Sequence, residues 1–151
     1  MIIHSFPNND EPVSALGFDY GTQRIGVAFG QSLTGTAQRI CVLKARDGIP
    51  DWDQIEALIV EWKPNLFVVG IPYNLDGSES ELMVRAIKFA NRLNGRFHKP
   101  SYSMDERLSS VEAAELALEE NSGAKKRATI DDIAAQIILE NWFSELAASK
   151  K

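Results

Sequence analysis

A carboxylate sits inside a hydrophobic run near the start of this chain. The segment Leu16-Gly17-Phe18-Asp19-Tyr20-Gly21-Thr22-Gln23-Arg24-Ile25-Gly26-Val27-Ala28 reads as a buried strand, a glycine-rich turn and a second strand returning beside the first. Burying an unpaired carboxylate costs several kcal/mol, so Asp19 belongs at an accessible end of a sheet or beside a partner. Gly17 and Gly21 flank it at two-residue spacings, and each permits close backbone approach or a positive φ. Two readings follow: a tight hairpin whose acid faces water, or one member of an acidic centre completed downstream. Arg24 likewise serves either as a clamp on a carboxylate or phosphate, or as a solvated turn residue.

Size and charge narrow the function. The 151 residues suit one domain with a sizeable core, and 44% apolar residues are ordinary for a globular chain. A net charge of -5 argues against coating nucleic acid through bulk charge, though it permits a local basic rim around an acidic site. With Cys41 as the single cysteine, an internal disulfide and a cysteine-cluster metal site are both excluded, which fits a reducing, cytoplasmic setting. No apolar run reaches transmembrane length, and a secretion signal's pattern is missing, so no membrane partner is expected.

In chain order, residues 1–14 are expected to form an irregular tail and 15–148 a single domain. Strands are expected over Ala15–Tyr20, Arg24–Gly30 and Thr36–Lys44, close enough together for an antiparallel meander. A polar link over Lys44–Pro50 precedes a helix from Asp51 to Trp62 with Ile55, Leu58, Ile59 and Trp62 facing inward. Leu66-Phe67-Val68-Val69-Gly70 has the continuous apolar character of a central parallel strand. The loop after it, including Asn74, lies where open α/β sheets bind ligands. Asn74 is either a phosphate donor or a turn former. Ser78 and Glu81 suggest a capping box for a helix over 79–93, with Leu82, Ala86, Phe89, Ala90 and Leu93 at helical spacing. His4 and His98 have no ligand spacing and are taken as ordinary polar residues. A strand within Phe97–Met104 delivers Asp105-Glu106-Arg107, and Ser109 with Glu112 caps the next helix. Those two acids are either exposed charges balanced by Arg107 and water or part of a site. A basic loop over 121–128 carries Lys125, Lys126 and Arg127. The last helix is expected over 130–146, with Thr129 and Asp132 as its cap. Asp131 then stands in its first turn, on the face of Ala134, Ala135 and Ile138; helix-dipole compensation alone also explains an acid there.

Asp19, Asp105 or Glu106, and Asp131 thus all fall at element ends. Brought together, such oxygen donors suit Mg2+ or Mn2+, and two ions about 4 Å apart activate water and stabilise a leaving phosphodiester oxygen. Arg24 and residues 125–127 would supply phosphate contacts.

The chain resembles the YqgF family, the RuvX-like pre-16S rRNA nucleases, whose fold is similar to ribonuclease H and the Holliday junction resolvases. The likeness rests on Gly17-Phe18-Asp19-Tyr20-Gly21 with Arg24-Ile25-Gly26-Val27-Ala28, then Val69-Gly70-Ile71-Pro72 with Gly77. Asp105-Glu106-Arg107-Leu108-Ser109 and Asp131 with Ala134-Ala135 and Ile137-Ile138-Leu139 complete it. It implies a ribonuclease-H-like α/β fold: a mixed five-stranded sheet, three strands in an antiparallel meander and two parallel, with flanking helices. It also implies a metal-dependent cytoplasmic nuclease, a monomer or weak homodimer, that matures the 5′ end of 16S rRNA using Mg2+ or Mn2+, two ions with substrate. In that reading Asp19, Glu106 and Asp131 are catalytic and hold metal, with Asp105 an alternative ligand. Arg24, Asn74, Arg107, Lys125, Lys126 and Arg127 contact RNA. Many family members carry Ser-Asp where this chain has Gly30-Gln31, so that position is given no catalytic role. The competing readings are a nuclease for branched DNA, which as a resolvase would be a dimer, and a non-catalytic ribosome-assembly factor.

Overall fold

The computed structural model describes residues 1–7, 11–72, 79–105 and 126–149, with side chains of 126–132 left out of the description. Seven strands form one mixed sheet: β1 (Ile2–Ile3), β2 (Ser14–Asp19), β3 (Arg24–Gln31), β4 (Thr36–Arg46), β5 (Ile49–Pro50), β6 (Leu66–Ile71) and β7 (Ser101–Asp105). The order is β1-β7-β6-β2-β3-β4-β5. β2 through β5 make the antiparallel half, and β1, β7, β6 and β2 pair in parallel. Helices α1 (Trp52–Trp62) and α2 (Glu81–Phe97) cover one face, and α3 (Lys126–Ser149) covers the other.

The pleat creates two cores. Leu16 and Phe18 of β2, with Tyr20 just beyond it, join Ile25, Val27 and Phe29 of β3 and Phe67, Val69 and Ile71 of β6 under α1 and α2. The alternate residues Ala15, Ala28, Leu66, Val68 and Tyr102 face α3 through Ile138, Leu139, Trp142 and Phe143. Every residue of β6 is buried, as a strand covered on both faces requires.

Several expectations are corrected. Among the described residues the sheet has seven strands rather than five, because two-residue strands close both edges and are too short to carry a periodic signal. One of them, β1, lies inside the supposed irregular tail, paired with β7 and held by Asn91, whose Oδ1 accepts from Ile2 N at 2.6 Å. The other ends the supposed polar link. Asp47 (φ 50°) and Gly48 (φ 81°) form a two-residue hairpin loop joining β4 to β5, with positive φ at both positions as a type I′ turn demands. The cap of α2 is Ser80, whose Oγ accepts from Met83 N at 3.0 Å, so the helix starts at Glu81 rather than 79 and continues to Phe97. α3 is already helical at Lys126, which places Lys126 and Arg127 on the helix rather than in a loop and puts Thr129 and Asp132 inside it rather than at a cap. Ser78, Ser109 and Glu112 lie outside the described residues.

Candidate active site

Asp19 is the last residue of β2, half-buried at the sheet's edge-on end after four fully enclosed neighbours. The pleat gives it the parity of Ala15 and Gly17, hence the α3 face. It pairs with Gly26 on β3, a residue with no side chain to fill the space beside it. Arg24 lies two residues from Gly26 on the same strand and face, at the same end of the sheet.

α3 crosses this face closely because small residues floor it. A Cβ placed on Gly17 would meet Leu139 Cβ at 3.0 Å and the Ala135 carbonyl at 3.4 Å, so glycine is what lets the helix sit this near the strand. A Cβ on Gly30, the partner of Ala15, would meet the Phe143 ring at 2.7 Å. Phe143 therefore lies level with the start of β2 and Ala135 level with its middle, so α3 runs opposite to β2. Residue 131 is one helical turn before Ala135, about 6 Å back along the axis. Asp19 is two strand residues beyond Gly17, about 6.6 Å in that same direction. The backbone of 131 and that of Asp19 thus approach the same end of the molecule. Residue 131 is beyond the first turn of the helix, not within it as expected.

On the neighbouring parallel strands, Phe18 pairs with Val69, Gly70 with Met104, and Ile71 with Asp105. Asp105 is exposed at the same carboxyl end as Asp19, but it has the opposite parity to Met104, which packs toward α3. Among the described residues no group of three or more histidine, cysteine or acidic side chains is close enough to hold a metal. Glu106, Asn74, Arg107 and Lys125 lie outside the described residues, and of Lys126, Arg127 and Asp131 only the helical backbone is described. His4 bonds Ser103 through Nδ1 at 2.7 Å, and His98 ends α2 in a left-handed conformation.

Tyr20 is a residue that sequence reasoning passed over. Its ring turns to the face opposite Asp19, and its hydroxyl donates to the Gly48 carbonyl at 2.8 Å, while Gly48 N donates to Thr22 O at 2.8 Å. The hairpin loop and the turn after Asp19 are thereby tied together. The Asp-Gly pair between strand-like runs was the available signal.

The RuvX family profile, described as Holliday junction resolvase, matches residues 13–145. The chain belongs to the RuvX family. A relative from Pseudomonas fluorescens Pf-5, named "putative pre-16S rRNA nuclease", is 54% identical over 134 residues, 87% of this chain and 92% of its own length. A Pseudomonas aeruginosa PAO1 relative of the same name is 51% identical over 140 residues, 91% of this chain and 96% of its own. Among solved structures, Thermus thermophilus RuvC in complex with Holliday junction substrate superposes with a TM-score of 0.53 at 14% identity, covering 90% of this chain and 96% of that one. The yeast mitochondrial Holliday junction resolvase Ydc2 gives 0.53 at 10% identity, over 96% and 82%. These structural likenesses establish for this RuvX chain a broadly ribonuclease-H-like α/β architecture.

Proposed function

We propose that this chain is a cytoplasmic metal-dependent nuclease that hydrolyses RNA phosphodiester bonds in maturing the 5′ end of precursor 16S rRNA, through a single domain spanning 15–148. The observation that carries the reading is Asp19 at an open sheet end on the face that α3 approaches closely, within a chain at least half identical to relatives named for that activity.

The donor chemistry fits a hard divalent cation. Asp19, Glu106 and Asp131 offer carboxylate oxygens, the ligands Mg2+ and Mn2+ take, and the single cysteine is on β4 rather than beside Asp19. When bound, one or two such ions would supply water activation and stabilisation of the leaving oxygen. The chain's own part is to fix these donors. β2 ends at Asp19 because the strand's pairing with β3 stops at Gly26, and Gly17 lets α3 bring residue 131 toward it. Asp105 is the weaker candidate for the third donor, because it has the opposite parity to Met104, which packs toward α3; Glu106 is the donor the family resemblance implies. Arg24, on Asp19's face, would hold a substrate phosphate, with Asn74, Arg107, Lys125, Lys126 and Arg127 as further contacts to the RNA backbone.

Asp19→Asn keeps size and one acceptor oxygen while removing the charge. It is expected to lower Mg2+- or Mn2+-dependent cleavage of precursor RNA at least a hundredfold with an unchanged melting temperature. Wild-type rates from the folded variant would sink the assignment. Because the family profile is described by a DNA-junction activity, a four-way junction should be run beside the RNA; faster cutting of the junction would reassign the substrate to branched DNA.

A further inference from the structure

On the face opposite Asp19, α2 and the β4–β5 hairpin enclose a cavity of about 200 Å³. Among the described residues, Arg85, Lys88 and Arg92 line it, with Asp47 as the single carboxylate and Tyr20 and Phe89 behind them. Its charge is therefore positive in a chain whose net charge is -5. The three cations recur at i, i+3 and i+7, one face of the helix, over about 10 Å of its length.

Their roles differ. Arg85 is anchored, its Nη1 2.9 Å from Asp47 Oδ1 and its Nη2 3.6 Å from Glu81. Lys88 and Arg92 are exposed and form no ion pair or hydrogen bond with the described residues. Tyr20 and Phe89 are too buried to stack with a base, so what the cavity offers a ligand is charge and N–H donors. The cavity also adjoins the candidate active site. Tyr20 follows Asp19 directly, and the pleat sends the two side chains to opposite faces at one end of the sheet.

We propose that this groove is an accessory site for the sugar–phosphate backbone of RNA, engaging a stretch of the strand that passes over the sheet end beyond the bond being cut. The inference rests on the nuclease reading. It makes the contact independent of base sequence, since phosphates are what a row of cations without an exposed aromatic recognises. A second copy of the chain is a poor occupant, because the same basic surface would face itself.

The test measures binding of a labelled single-stranded precursor fragment to the Asp19→Asn chain by fluorescence anisotropy across a salt series. Lys88→Gln with Arg92→Gln, in that background, removes two phosphate contacts and should make the plot of log K against log salt shallower by about 1.4. In the chain with Asp19 intact, the same pair should raise KM more than it lowers kcat. Lys63→Asn controls for loss of charge, because Lys63 holds a left-handed conformation that asparagine tolerates and lies at the other end of β2, near Ser14. It should leave the slope unchanged. A slope and affinity unaffected by the double substitution overturn the groove while leaving the nuclease reading standing. A shifted slope in a chain that never cleaves RNA would sink the nuclease reading and keep the groove as a binding site. Failure of the RNA to bind with the groove intact overturns both.

Discussion

At the scale of single residues, the neighbours Asp19 and Tyr20 divide two tasks by the pleat. Asp19 offers a charge to the α3 face, and Tyr20 secures the hairpin on the other. Burial pushes the Tyr20 hydroxyl above its ordinary 10, with Arg85 and Arg92 pulling it partly back. Tyr102 is raised by burial as well. The folded chain thus keeps protons that the unfolded chain sheds above pH 10. Their contribution to stability is complete below pH 10 and is lost as pH climbs through the raised folded values. Tyr20→Phe should cost about 1–3 kcal/mol at neutral pH, because it leaves the Gly48 carbonyl without its donor. Urea melts of the variant at pH 9 and 11 should show a smaller alkaline loss than the parent. Gly48→Ala fails for two reasons: its φ of 81° strains an L side chain, and the new Cβ would strike the Tyr20 hydroxyl.

At the scale of elements, the fit of α3 onto the sheet decides the geometry. Gly17→Val would place a branched side chain where only 3.0 Å separates a single Cβ from Leu139. We expect about 1–3 kcal/mol of destabilisation, read by denaturant melts, and a loss of cleavage larger than the unfolded fraction explains, as residue 131 is displaced. Gly95 in α2 is the contrasting case: a Cβ there meets nothing within 4 Å, and Gly95→Ala should stabilise by about 0.5–1 kcal/mol with activity unchanged. α3 also secures β4. Glu140 accepts from Ala37 N at 3.0 Å and Gln136 donates to Ala37 O at 3.1 Å. The close approach was legible, since small alanines near Asp131 and glycines flanking Asp19 both signalled it. The helix start was not, because Thr129 and Asp132 imitate a cap with local hydrogen-bonding chemistry that an already continuing helix overrides.

For the whole molecule, the parallel half of the sheet carries its own edge protection. β1 covers the outer edge of β7, and Phe6 packs on Trp142 with ring centroids 5.7 Å apart. Deleting residues 1–6 should lower the melting temperature and promote concentration-dependent association, measurable by light scattering, because an uncovered parallel edge is a template for further pairing. Chelation with EDTA should abolish cleavage while leaving the far-ultraviolet circular dichroism unchanged, and Mg2+ or Mn2+ should restore it; cleavage persisting in the chelator would contradict the metal-dependent reading. Among the described residues no helix is long and apolar enough to cross a membrane.

Local patterns in the chain were enough to establish the three-strand meander, the fully covered β6, the amphipathic α1 and α2 and the position of Asp19 at a strand end. Each of these follows from a local signal over a handful of neighbouring residues: period-two or period-3.6 burial, a continuous apolar run for β6, or a glycine-flanked turn after Asp19. Tertiary structure alone decided that β6, expected as a central parallel strand, takes β2 and β7 as its neighbours, that two-residue strands seal both edges, and that α3 runs antiparallel to β2 at a distance set by Gly17. It also decided that Arg85 reaches Asp47 across a groove that Lys88 and Arg92 line as well. Such pairings join segments far apart in sequence, and their energies depend on register and shape complementarity rather than on local periodicity. Asp19 is therefore recognisable from its own neighbourhood, whereas the surfaces that surround it exist only once the chain has closed.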